Sequence, residues 1–134
     1  MQDLFSDAWM KAFKEAWNGD LKLVQDLGGM NFTANVGYGF EQEAEPRGVV
    51  VVNQGVVVDA RAYDGQPLNW DLRATPDHWY EMLKKPPNLM GLGLAYTSRK
   101  LRFKKGDYAA MIKDPRLADA FVRSFMLMGK IVAS

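Results

Sequence analysis

Residues 48–63, reading GVVVVNQGVVVDARAY, constrain the fold of this chain more than any other stretch. Two valine runs, 49–52 and 56–58, flank Asn53-Gln54-Gly55. Branched side chains favour a pleated backbone, and a short loop ending in glycine suits a hairpin with that glycine in the left-handed conformation. Neighbouring residues of a strand point to opposite faces, so both faces of this ribbon are apolar. An antiparallel sheet ordinarily keeps one face wet. The second face therefore needs a cover: another layer, a partner chain or an apolar ligand.

The flanking patterns supply helices on one side and more strands on the other. Leu4, Phe5, Ala8, Trp9, Ala12, Phe13, Ala16 and Trp17 recur as pairs every four residues, the stripe of an amphipathic helix that Asn18-Gly19 ends. Asp20 caps a short second helix through Leu27, stopped by Gly28-Gly29. Phe32, Ala34, Val36, Tyr38 and Phe40 alternate with small or polar residues, predicting a strand over 31–40. Leu68, Trp70, Leu72 and Ala74 predict a fourth strand, and Thr75-Pro76-Asp77 opens a helix that Pro86-Pro87 must end. Glycine punctuates residues 88–96, NLMGLGLAY, which read as an irregular connection. Residues 100–104 alternate as a fifth strand. A short helical piece over 108–113 follows, then a last helix opened by Asp114-Pro115 and ended at Gly129. Hairpin connections with few crossovers predict an α+β fold, a five-stranded, mostly antiparallel sheet covered by helices, in one domain over 1–134.

Composition narrows the function classes. A net charge of +1 creates no field for nucleic acid, and zero cysteines exclude disulfides and thiol chemistry. No run approaches the ~18 apolar residues of a membrane span, and no signal-peptide run opens the chain, so stable membrane insertion is not expected and a cytoplasmic location is. His78 stands alone without cysteine or paired carboxylates, a poor metal site, and reads as a surface or capping residue. Gly91 and Gly93 do not complete a phosphate-binding glycine motif, and Glu41, Glu43 and Glu45 read as a solvated turn. No catalytic residue, metal or cofactor is expected, and the chain reads as a non-enzyme.

Two features remain. Spare apolar surface is the first, with eight methionines able to line an adaptable pocket. The second is the basic run Arg99, Lys100, Arg102, Lys104 and Lys105, which either guards an edge strand or makes transient contact with an anionic lipid surface.

Three segments resemble the sterol carrier protein 2 family over roughly residues 47–128. The hairpin Val49-Val50-Val51-Val52-Asn53-Gln54-Gly55-Val56 resembles the family's apolar strand, turn and returning strand. Asp71-Leu72-Arg73-Ala74, then Asp77 and a helix bearing Trp79, Met82 and Leu83, resembles its strand followed by an aspartate-led helix. Lys100-Leu101-Arg102-Phe103 and Gly106-Asp107 resemble the stretch before its final helix. Arg99 stands where the family usually has glycine, and the helical piece after Gly106 lengthens the route to the last helix. The resemblance implies an apolar tunnel between sheet and helices, lidded by the final helix, with no catalytic residue. These departures shift the expected guest from a sterol to a fatty acyl chain, acyl-CoA or similar lipid.

The expected lining is Trp79, Met82, Leu83, Met90, Leu94, Met111, Phe121, Phe125 and Met128, with Lys100 or Arg102 meeting a carboxylate at the mouth. The alternative is an accessory domain whose apolar surface is covered by a second copy, as a homodimer, or by a partner enzyme.

Overall fold

The computed structural model describes residues 3–133. In chain order the elements are α1 (Asp7–Gly19), α2 (Leu21–Gly29), β1 (Ala34–Phe40), β2 (Gly48–Asn53), β3 (Val56–Ala62) and β4 (Trp70–Ala74). They continue with α3 (Pro76–Lys84), α4 (Leu89–Thr97), β5 (Arg102–Lys105), α5 (Tyr108–Lys113) and α6 (Pro115–Ala133). The strands form one sheet in the order β3-β2-β1-β4-β5. Three pairings are antiparallel, and β1 with β4 is parallel, so the sheet is mixed.

The valine hairpin forms as its residues dictate. Val52 faces Val57 and Asn53 faces Val56, leaving a two-residue turn of Gln54 and Gly55. Both turn residues have positive φ, +49° and +86°, the backbone of the turn that matches strand twist. A side chain at Gly55 would strike the backbone of α2, and the Trp17 indole donates to its carbonyl at 3.0 Å. The hairpin tip is thus locked beneath the first two helices.

The helices cover one face of the sheet. Val36, Tyr38, Phe40, Val50, Val52 and Leu72 join Trp9, Phe13, Trp17, Trp79 and Phe125 in one buried cluster. Local signals set the helix starts. Asp20 accepts from the Leu23 amide at 3.2 Å, Thr75 from the His78 amide at 3.2 Å, and Asp114 from the Arg116 amide at 3.0 Å. The Trp79 indole crosses to the sheet and donates to the Gly39 carbonyl at 2.7 Å.

The opposite face is covered by the chain's own loops. On β1, Gly37 and Gly39 leave room that a side chain would close, since an added Cβ would lie 3.1 Å from Leu68 and 2.6 Å from Pro46 respectively. Leu68 belongs to the β3–β4 crossing and Pro46 to the β1–β2 loop. Arg73 pins that second loop. It is buried on β4 opposite Gly39, bonds Asp71 at 2.6 and 3.0 Å, and donates to the carbonyls of Phe40, Glu43 and Ala44 at 3.2, 2.8 and 3.4 Å. Val49, paired with Gly37, is completely buried, while Val56 and Val58 on edge strand β3 stay exposed. The second apolar face is therefore covered by loops over Gly37 and Gly39 and open toward the β3 edge.

Two sequence expectations are corrected. Residues 88–96 are not an irregular connection but lie in α4 and its cap. Asn88 accepts from the Gly91 amide at 2.8 Å, and Leu92 and Ala95 are buried, so capping and packing overcome the two glycines. Gly129 does not end the last helix, which runs to Ala133. A Cβ there would meet the Leu83 carbonyl and Pro86, each at 2.7 Å, so this glycine lets α6 cross close behind α3. The predicted strand starts at residues 31, 68 and 100 also move inward, to Ala34, Trp70 and Arg102.

Candidate functional site

A cavity of about 40 Å³ lies between the sheet and the α5–α6 arm. Val36, Tyr38, Trp70 and Leu72 floor it, Trp17, Leu27 and Phe32 close one end, and Met111, Leu117, Ala120, Phe121 and Ser124 roof it. None of the twelve is charged. Two of the few polar side chains are occupied. Ser124 Oγ donates to the Phe121 carbonyl at 2.6 Å, and the Trp17 indole is held by Gly55. Burial pushes the Tyr38 phenol well above its usual pKa, so it stays neutral. Phe32, Trp70, Leu117 and Phe121 remain partly exposed and rim the opening.

The cavity marks a seam. Tyr108, Met111 and Ala118 form a second buried cluster, apart from the main core, with Trp70, Phe103, Leu117 and Phe121 packed between the two. Phe103 packs edge-on against Trp70 and Tyr108 at 6.0 and 5.5 Å, and Tyr96 stacks on Tyr108 at 4.0 Å. A small satellite cluster joined to the core through shared aromatics can separate from it at lower cost than the core can open.

Of the nine side chains expected to line a pocket, Met111 and Phe121 meet at this cavity. Trp79, Leu83, Phe125 and Met128 sit in the main core, where Phe125 continues the aromatic row from Phe121 at 5.1 Å. Met82 and Leu94 flank a surface groove between α3 and α4, and Met90 points outward from α4. The other ten lining residues were not singled out, although the alternation that made Val36 and Tyr38 a large apolar face was visible. Neither basic candidate lies on the cavity lining. Lys100 pairs with Glu81 at 3.6 Å, and Arg102 pairs with Glu41 at 2.6 Å. β5 is an edge strand, and Lys104 and Lys105 on it are exposed. His78 is half-buried on α3, its Nδ1 enclosed without a hydrogen-bond partner among the described residues. No group of three or more His, Cys, Asp or Glu side chains able to hold a metal is assembled among the described residues, and no described helix is long and apolar enough to cross a membrane.

A helical layer over a five-stranded mixed sheet, with an apolar hollow under the last two helices, defines an α+β architecture with a known counterpart. The chain has the fold of sterol carrier protein 2. A crystal structure of sterol carrier protein 2 superposes with a TM-score of 0.75 at 18% identity, covering 96% of this chain and 98% of that one. A conserved protein of Thermus thermophilus, solved as a candidate sterol carrier protein, gives 0.70 at 18% identity over 96% and 91%. A ubiquinone synthesis protein described as UbiJ-SCP2 gives 0.58 at 11% identity over 89% and 86%. No protein-family model matches the chain, and no curated protein matches it in sequence.

Arg99 closes the end of α4. It takes φ +64° just after α4, while Lys100 N–H bonds the Ala95 carbonyl at 2.9 Å and Arg99 N–H bonds that of Tyr96 at 3.1 Å. That pair of bonds is the helix stop in which glycine is the usual residue. Arginine holds the left-handed position here.

Proposed function

We propose that this chain is a non-enzymatic binder or carrier of a hydrophobic guest, a fatty acyl chain, an acyl-CoA or another lipid, held between the sheet and α5–α6. The uncharged cavity at the seam between the two buried clusters carries this reading. At about 40 Å³ the hollow exceeds the ~10–15 Å³ that one water needs and falls short of the ~150 Å³ that admits benzene. Loading therefore requires α5 and the first turns of α6 to swing away from Trp70 and Phe103. The lining then comprises Met111 and Phe121 with Val36, Tyr38, Leu72 and Ala120, and it deepens toward Phe125. Burial drives binding at ~0.8 kcal/mol per methylene before entropic costs. A headgroup has no charged partner in the lining and stays at the rim.

Titration with cis-parinaric acid tests the reading, paired with native mass spectrometry of the purified protein. The expected result is saturable fluorescence enhancement that Ala120→Phe reduces tenfold or more, with the melting curve showing that the variant folds. A wild-type chain that neither carries lipid nor enhances the probe would sink the proposal. The second reading, an accessory domain covered by a second copy or a partner enzyme, draws on the ubiquinone synthesis protein that shares the fold. A lipid-free dimer in the same spectra would favour it.

A further inference from the structure

The outward side of α4 has no cover. Met90 and Leu94, one helical turn apart, are 76% and 64% exposed, and Leu89 is 44% exposed beside them. Leu92 and Ala95 hold the inner side of the helix in the core. From Leu89 to Ala95 the helix has no polar side chain, so its outer side is as apolar as its inner one. Two grooves run beside the connection between α3 and α4. Lys85 and Lys100 line the first with Glu81, and Lys84 and Lys130 line the second, which has no carboxylate. Lys100 already neutralises Glu81 at 3.6 Å, so the rim of the apolar helix is basic.

We propose that α4 is an interfacial docking element that seats the protein on a bilayer containing anionic lipid. Met90 and Leu94 enter the boundary between headgroups and acyl chains, and Lys84, Lys85 and Lys130 meet the phosphates. Charge and size together select this occupant. A symmetric dimer through this face would place its lysine rim against an identical lysine rim. Three protruding side chains also fall far short of the roughly 20–30 residues per side that a stable protein interface uses. A bilayer needs neither a large patch nor a matching shape, only apolar depth and negative charge. The docking face shares no residue with the cavity lining, so docking and guest binding fail separately.

Co-sedimentation with vesicles tests this, comparing equal parts phosphatidylglycerol and phosphatidylcholine with phosphatidylcholine alone. The wild-type chain is expected to partition onto the mixed vesicles, to release as salt rises, and to stay free of the neutral ones. Met90→Glu/Leu94→Glu should weaken partitioning tenfold or more, and Lys84→Glu/Lys85→Glu about thirtyfold or more. Leu21→Glu, at an apolar residue 68% exposed on α2, should leave it unchanged. Melting curves confirm folding, and should the α4 variant fail there, the lysine variant decides. The proposal is overturned if the wild type ignores anionic vesicles or if the α4 and lysine variants bind like wild type. A wild-type dimer in sedimentation velocity that Met90→Glu/Leu94→Glu splits would overturn it in favour of a second copy.

Discussion

Replacing Arg73 with methionine keeps most of the side-chain volume and removes the cation that binds the back of the sheet. Arg73 makes two bonds to Asp71 and three to loop carbonyls, all from a buried position. Without it, the Asp71 carboxylate is stranded in the interior, and breaking such a pair from one side costs about 3–5 kcal/mol. The carbonyl of Ala44 lies on an exposed residue and turns to water, so its loss adds little. The Phe40 carbonyl keeps the Glu43 amide at 3.2 Å, so it too adds little. At ~4 °C per kcal/mol for a chain of this size, melting should fall by ~12–20 °C. Changing Asp71 to asparagine in the same molecule removes the stranded charge. The double variant should therefore recover to within about 1–3 kcal/mol of wild type, the cost of the lost bonds between Arg73 and the loop. Urea unfolding followed by tryptophan fluorescence measures both, and hydrogen exchange at the Arg47 amide, bonded to the Tyr38 carbonyl at 2.8 Å, reports the loop. If Arg73→Met costs under ~1 kcal/mol, or the double variant is no more stable than the single, the ion pair does not secure the loop and the argument fails.

Two further outcomes are expected. Arg99→Gly should raise stability by about 1 kcal/mol, because the φ of +64° costs an L side chain what glycine avoids. An unchanged or lower urea midpoint would show that the arginine side chain compensates its own backbone. The second concerns Asp20, which ties α2 to α6. Burial raises the Asp20 pKa, but bonds from the Arg123 guanidinium and the Leu23 amide outweigh it and hold the carboxyl below its usual 3.8. A depressed folded value adds stability that is full at neutral pH and lost as pH falls below 3.8 through the folded value. Arg123→Ala should therefore destabilise at pH 7, and its stability should converge on wild type in acid. A constant gap across the titration would remove Asp20 from the account.

The hairpin, its turn and three helix starts could be read from residues because each rests on a local rule: branched runs, a glycine in a turn, an oxygen before a helix. α4 could not, since it is apolar on every side and broken by Gly91 and Gly93. No period marks it, and only the Asn88 cap and the burial of Leu92 and Ala95 make it a helix. Gly129 misled for the opposite reason, serving a close approach to the Leu83 carbonyl that lies far off in sequence. The cover over Gly37 and Gly39 was hidden in Pro46 and Leu68, residues of turns without periodicity. The cavity was the hardest to foresee. Met111 and Phe121 were chosen from helix faces that look toward the sheet, but a void is a shortage of atoms among ordinary core residues. Ala120 and Ser124 contribute to it by being small, which no motif announces.

A lining without charge also sets how finely guests can be told apart. Lacking a fixed partner for any one headgroup, the chamber would grade the guests proposed for it by length and girth. One methylene more or less changes affinity by only about fourfold at ~0.8 kcal/mol. Neighbouring homologues would compete on nearly equal terms, and whichever is most abundant at the rim would occupy the interior.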